Sequence, residues 1–136
     1  MATIKSFISL EQSRKLAEIL PIETADMCYI KHCTSDNPTW RFDGSPMILG
    51  KTPIKEMTVD VLPCWSLAAL LNIIPQEIFD GEYIINITEG INNRWVITYD
   101  HHENRNHSYY GLSTGADNLV DACTYIIIKL KERNII

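Results

Sequence analysis

The run Pro63-Cys64-Trp65-Ser66-Leu67-Ala68-Ala69-Leu70-Leu71-Asn72-Ile73-Ile74-Pro75 restricts the possible folds more than any other part of this chain. It is the most apolar stretch, it lies near the middle, and both of its ends are chemically marked. Ser66 reads as an N-cap, its hydroxyl placed to accept a backbone N–H from the first turn. Trp65 before it and Leu70 four residues after it have the spacing of a hydrophobic staple. Pro75 cannot continue a helix and disfavours helical geometry at Ile74. The stretch predicts a helix of about two turns, interrupted only by the polar Asn72, and a helix apolar nearly all round is expected to be buried.

A chain of 136 residues is expected to form one α+β domain over residues 1–136, large enough to bury about two thirds of its unfolded surface. Hydrophobic residues at 46% and charged ones at 21% are ordinary globular values, so long disordered regions are not expected. The net charge of −5 argues against a protein built to grip phosphates, and no nucleic-acid partner is expected. The N-terminus lacks the apolar segment of a signal peptide, and no run approaches the ~20 apolar residues that span a bilayer. The reading is therefore cytoplasmic, with no membrane partner, and the sequons at Asn86 and Asn106 carry little weight. Cys28, Cys33, Cys64 and Cys123 form no C-x-x-C pair. They read as reduced thiols packed as small hydrophobes.

Taken in order, Ser9 and Gln12 have capping-box spacing and open a half-buried helix that Pro21 closes. Residues 26–32 read as a strand. Thr39 to Phe42 leads into Asp43-Gly44, a hairpin signal, with Pro46 to Leu49 returning along it. Gly50 to Asp60 reads as loop. After the central helix, Asp80-Gly81 turns the chain into a strand over 82–88, and residues 94–99 come back beside it. Tyr83, Ile85 and Ile87 alternate onto one face, as do Trp95, Ile97 and Tyr99. A polar corner, residues 100–105, precedes a third strand over 106–112. The last helix runs from about Asn118 to Arg133, capped by Asp117 or Asn118, with the apolar stripe Leu119, Cys123, Ile126, Ile127 and Leu130. Together these predict three helices packed on a largely antiparallel sheet of about five strands. A short echo, Leu16 to Pro21 against Leu70 to Pro75, falls well short of a repeat architecture.

Gly111-Leu112-Ser113-Thr114-Gly115 fits the G-x-S-x-G pattern of a nucleophile elbow. No histidine follows Ser113, however, and the chain lacks the βαβ alternation such a site needs, so a glycine-bounded turn feeding the last helix explains it. Asp100, His101, His102, Glu103 and His107 could bind a transition metal at a corner. Adjacent histidines in extended chain point apart and no H-E-x-x-H spacing exists, which favours a solvated polar turn. The other acids, including Glu11, Asp36, Asp43, Asp80, Asp117 and Asp121, sit at caps and turns. Cys64, at the entrance of an apolar helix without a neighbouring histidine, reads as packing. No catalytic residue, resident metal or cofactor is expected; His101, His102 and His107 are the weak metal candidates. Trp40, Phe42, Tyr83, Trp95, Tyr99, Tyr109 and Tyr110 place many aromatics on strand-like segments, and a sheet face left uncovered would suit a protein partner. Trp95, Tyr99 and Tyr109 are its candidate contacts.

The combination of residues 11–16 (Glu-Gln-Ser-Arg-Lys-Leu), 24–27 (Thr-Ala-Asp-Met), 63–71 and 117–122 (Asp-Asn-Leu-Val-Asp-Ala) resembles an uncharacterised family of small proteins. These are encoded in gut Bacteroides-type genomes, often among prophage or mobile-element genes. The resemblance spans nearly the whole chain and implies a cytoplasmic, phage-related setting. It brings no activity and no catalytic residues. The functional expectation is a small non-enzymatic accessory protein that binds a protein partner of unknown identity. The alternatives are a small-molecule or metal-dependent enzyme using the Asp100–His107 corner, or an inhibitor of host defence. Oligomeric state stays open.

Overall fold

A computed structural model describes residues 5–32, 36–43 and 59–136. These form three α-helices and two antiparallel sheets, of three and four strands. The chain divides into two compact units, Phe7–Ala69 and Met1–Ser6 with Leu70–Ile136. The expected sheet of about five strands is thus replaced by seven strands in two sheets. Three of the strands, Val59–Cys64, Glu77–Ile78 and Thr114–Ala116, were not legible from the sequence pattern.

In the first unit, α1 (Leu10–Ala17) opens with the expected capping box. Ser9 Oγ accepts from the Gln12 amide at 3.2 Å, and Gln12 Oε1 accepts from the Ser9 amide at 2.9 Å. Strand β1 (Met27–His32) pairs on one side with β2 (Trp40–Asp43) and on the other with β3 (Val59–Cys64). The end of the segment read as loop is therefore strand. Asp60 and Pro63 hide β3 from an alternation search, and proline is tolerated there because β3 is an edge strand. Gly44 and the return strand 46–49 lie outside the described residues, as does Cys33.

Helix α2 (Leu67–Ile73) starts where expected: the Ser66 hydroxyl accepts from the Ala69 amide at 3.2 Å. It is not buried all round. Leu70 is fully buried, whereas Ala68, Leu71 and Asn72 lie on an exposed side, with Leu71 39% exposed. Residues three and four apart share a helix face, so one apolar stripe goes inward and the other does not.

In the second unit the sheet runs β4 (Glu77–Ile78), β5 (Tyr83–Glu89), β6 (Trp95–His101) and β7 (Thr114–Ala116). The β5–β6 register sets Ile85 opposite Tyr99 and Ile87 opposite Ile97, the face expected from alternation. The third strand is shifted. In place of a strand over 106–112 there is an isolated bridge at Ser108 and then β7. Gly111, at φ +83°, and the turn bond from the Leu112 amide to the Tyr109 carbonyl interrupt the ladder between them. Helix α3 (Leu119–Glu132) packs on β6 and β7. Asn118 caps it through the Asp121 amide at 2.8 Å, and Cys123, Ile126, Ile127 and Leu130 are fully buried along one stripe.

Candidate functional site

The four-stranded sheet builds one chemically rich corner. The turn into β5 places Phe79, Asp80 and Gly81 successively at φ +53°, +56° and +85°, with the Glu82 amide donating to the Phe79 carbonyl at 3.1 Å. Asp and Gly accept such geometry readily, but a bulky aromatic seldom does. The turn positions an aromatic cluster. The Phe79 ring packs on Tyr109 at 5.0 Å between centroids and edge-on to Tyr83 at 6.3 Å, yet stays 44% exposed. Tyr83 and Tyr109 meet at 5.1 Å, and the neighbouring Tyr110 is 92% exposed.

Register brings the histidines to the same place. Tyr83 on β5 stands opposite His101 at the end of β6, their rings T-shaped at 5.5 Å. His102 stacks on His101 at 4.8 Å, and His107 lies 6.5 Å from His101 and 6.2 Å from Tyr83. The loop between them is closed by the His101 amide donating to the His107 carbonyl at 2.9 Å. His101 Nδ1 accepts the amides of Glu103 at 3.2 Å and Asn104 at 3.4 Å. Beneath the loop, Asp100 is 4% exposed. Its carboxylate accepts from the Ser108 hydroxyl at 2.7 Å and from Asn86 Nδ2 at 3.0 Å.

The sequence candidates therefore separate. His101, His102, His107 and Tyr109 come together. Trp95 begins β6, about 20 Å along the strand from His101 at the usual rise per residue. Tyr99 is fully buried, its hydroxyl donating to the Pro75 carbonyl at 2.6 Å. Phe79 escaped sequence reasoning; an aromatic just before Asp80-Gly81 was the available signal. Among the described residues, no group of three or more His, Cys, Asp or Glu side chains is disposed to hold a metal ion. With the His101 Nδ1 lone pair engaged, the neutral ring carries its hydrogen on Nε2, which faces Glu82 Oε1 at 3.9 Å. Ser113 is exposed just ahead of β7, its carbonyl accepting from Lys129 at 2.8 Å. In the first unit, His32, Asn37, Thr39 and Arg41 line a polar hollow of about 160 Å³, below the ~300 Å³ and without the apolar walls typical of small-molecule sites.

The charge around the corner is mainly negative. Glu77, Asp80, Glu82 and Glu103 are exposed on or beside it, with Arg105 and Arg133 as counterweights. Arg133 lies over the Tyr109 ring at 6.0 Å. Among the described residues, no helix is long and apolar enough to cross a membrane. No family model, curated protein or solved structure matches this chain.

Proposed function

We propose that this is a non-enzymatic accessory protein that binds a protein partner through the Phe79–Tyr109–Tyr110 corner, and that the partner offers a basic segment there. The supporting observation is the exposure of Phe79 and Tyr110 beside packed Tyr83 and Tyr109. Partly exposed aromatics on a rigid base present large contact area at small ordering cost, and such residues dominate interface energetics. The acidic rim of Glu77, Asp80, Glu82 and Glu103 supplies the charge complementarity that selects a basic partner and speeds its approach. A phage or mobile-element setting rests on the family resemblance and fits an accessory role.

The test is cross-linked capture from the source cell by the tagged protein, compared with Phe79→Ala/Tyr110→Ala and with Ile91→Ala, a distant exposed residue, as control. Loss of one basic partner in the double variant but not in the control supports the reading, provided circular dichroism matches the parent. Equal capture by all three overturns it.

A further inference from the structure

We propose that partner binding at this corner is gated by protonation of His101, an inference that rests on the protein-binding reading and adds its regulation. An imidazole nitrogen accepts hydrogen bonds only through an unprotonated lone pair. His101 Nδ1 accepts two, from the amides of Glu103 and Asn104, and so holds the 102–106 loop from inside. A proton on Nδ1 turns that acceptor into a donor facing two donors. Both bonds are lost, and the Glu103 and Asn104 amides must turn away. Imidazole is the side chain suited to such a change of acceptor into donor.

The groups facing His101 leave the switch intact. Glu82, across the strand pair, attracts an imidazolium at 3.9 Å, but its side chain is half exposed and solvent weakens the attraction. The Glu103 carboxylate lies against His102 at 3.5 Å, and Asp100 is engaged by Asn86 and Ser108. The His102 and His107 rings lie 4.8 and 6.5 Å from that of His101, and the Tyr83 and His101 rings meet T-shaped. Two effects then act in one direction. Loosening the loop removes the support beside Tyr83 and Tyr109, and the charge gained by His101 offsets part of the acidic rim. Acidification releases a basic partner.

The variant His101→Asn separates this from general acid sensitivity. Its amide oxygen takes nearly the place of Nδ1, accepts the same N–H groups as an Asx turn, and does not titrate. Backbone ¹⁵N relaxation of the full chain is measured at about pH 7.5 and about pH 5.5. Residues 102–106 are expected to become mobile at the lower pH in the parent and in His102→Ala/His107→Ala, and to stay ordered in His101→Asn. Titration with a synthetic Lys/Arg-rich peptide is expected to show about tenfold weaker binding at the lower pH for the parent, and a much smaller change for His101→Asn. A loop equally ordered at both pH values in the parent, or an equal response in His101→Asn, overturns the switch. A loop that responds as expected while the peptide binds at neither pH overturns the binding reading and with it the gating.

Discussion

The Asp26 carboxylate receives both polar hydrogens of Ser66: one oxygen accepts the backbone amide at 2.8 Å and the other accepts the hydroxyl. Oriented in this way, the Ser66 oxygen is free to accept from Ala69 and so caps α2. Trp65 alongside is fully buried, its indole N–H donating to Thr24 Oγ1 at 2.9 Å. The start of the central helix is thus tied to the segment that leads into β1.

Removing either member of that pair should therefore cost more than an ordinary exposed cap. Ser66→Ala loses the cap and leaves one Asp26 oxygen without its hydroxyl donor, about 2 kcal/mol, whereas Asp26→Ala leaves both the Ser66 amide and the Ser66 hydroxyl without their acceptor, about 3 kcal/mol. Urea unfolding monitored by Trp fluorescence checks the order. Equal stability of Asp26→Ala and the parent would show that the carboxylate supports nothing.

Asp100 should be similarly intolerant of truncation. Asp100→Ala leaves the Asn86 amide and the Ser108 hydroxyl without their shared acceptor, with an expected loss of about 1–3 kcal/mol. Asn86→Ala should lose less, because Ser108 still satisfies one carboxylate oxygen. Thermal melts of the two variants give the comparison.

Gly111 is held by its backbone geometry. Its φ of +83° strains any L side chain, whereas the atom a Cβ would meet, Arg133 Nη2 at 1.9 Å, ends an exposed flexible side chain that can swing aside. Gly111→Ala should destabilise by about 1–2 kcal/mol from the backbone alone. Arg133→Ala in the same chain should leave that backbone cost nearly unchanged, because the guanidinium can move away on its own. A double-mutant cycle separates the two contributions.

Burial pushes the Cys28 and Cys64 thiols up to about 11 and the Cys123 thiol up to about 12, from an ordinary value of 9.0. Burial likewise raises Tyr29 to about 12 and Tyr99 higher still. Below the ordinary thiol value these groups are protonated in both folded and unfolded chain, and their contribution does not change with pH. Above it the unfolded chain releases protons that the fold retains, so stability should fall as pH rises from about 9 toward 12. Melting temperatures across that range check the sign. Alkylation by iodoacetamide at about pH 8 should spare these three cysteines until denaturant is added, because the thiolate is the reactive form.

The sequence by itself determined what depends on near neighbours. Ser9 with Gln12, Ser66 with Ala69, Asn118 with Asp121, the Asp80-Gly81 turn and the 3.6-residue stripe of α3 all join residues at most a few positions apart. Their hydrogen bonds form wherever the chain goes. The β5–β6 hairpin was legible for the same reason, since a short connection and an alternating face leave one register that keeps the apolar side inward. Only tertiary structure decided the rest. Strand β3 exists because β1 pairs with it across some thirty residues, which no local pattern encodes, and β7 is a strand because β6 offers it an edge. The corner shows the division most clearly. His101, His102 and His107 were visible in the chain, but Phe79 and Tyr83 join them through the register of β5 on β6 and the left-handed turn at Phe79. Local chemistry set the helices, caps and turns, and long-range pairing, which follows from apolar burial rather than from any local pattern, set the remaining strands and which side chains meet.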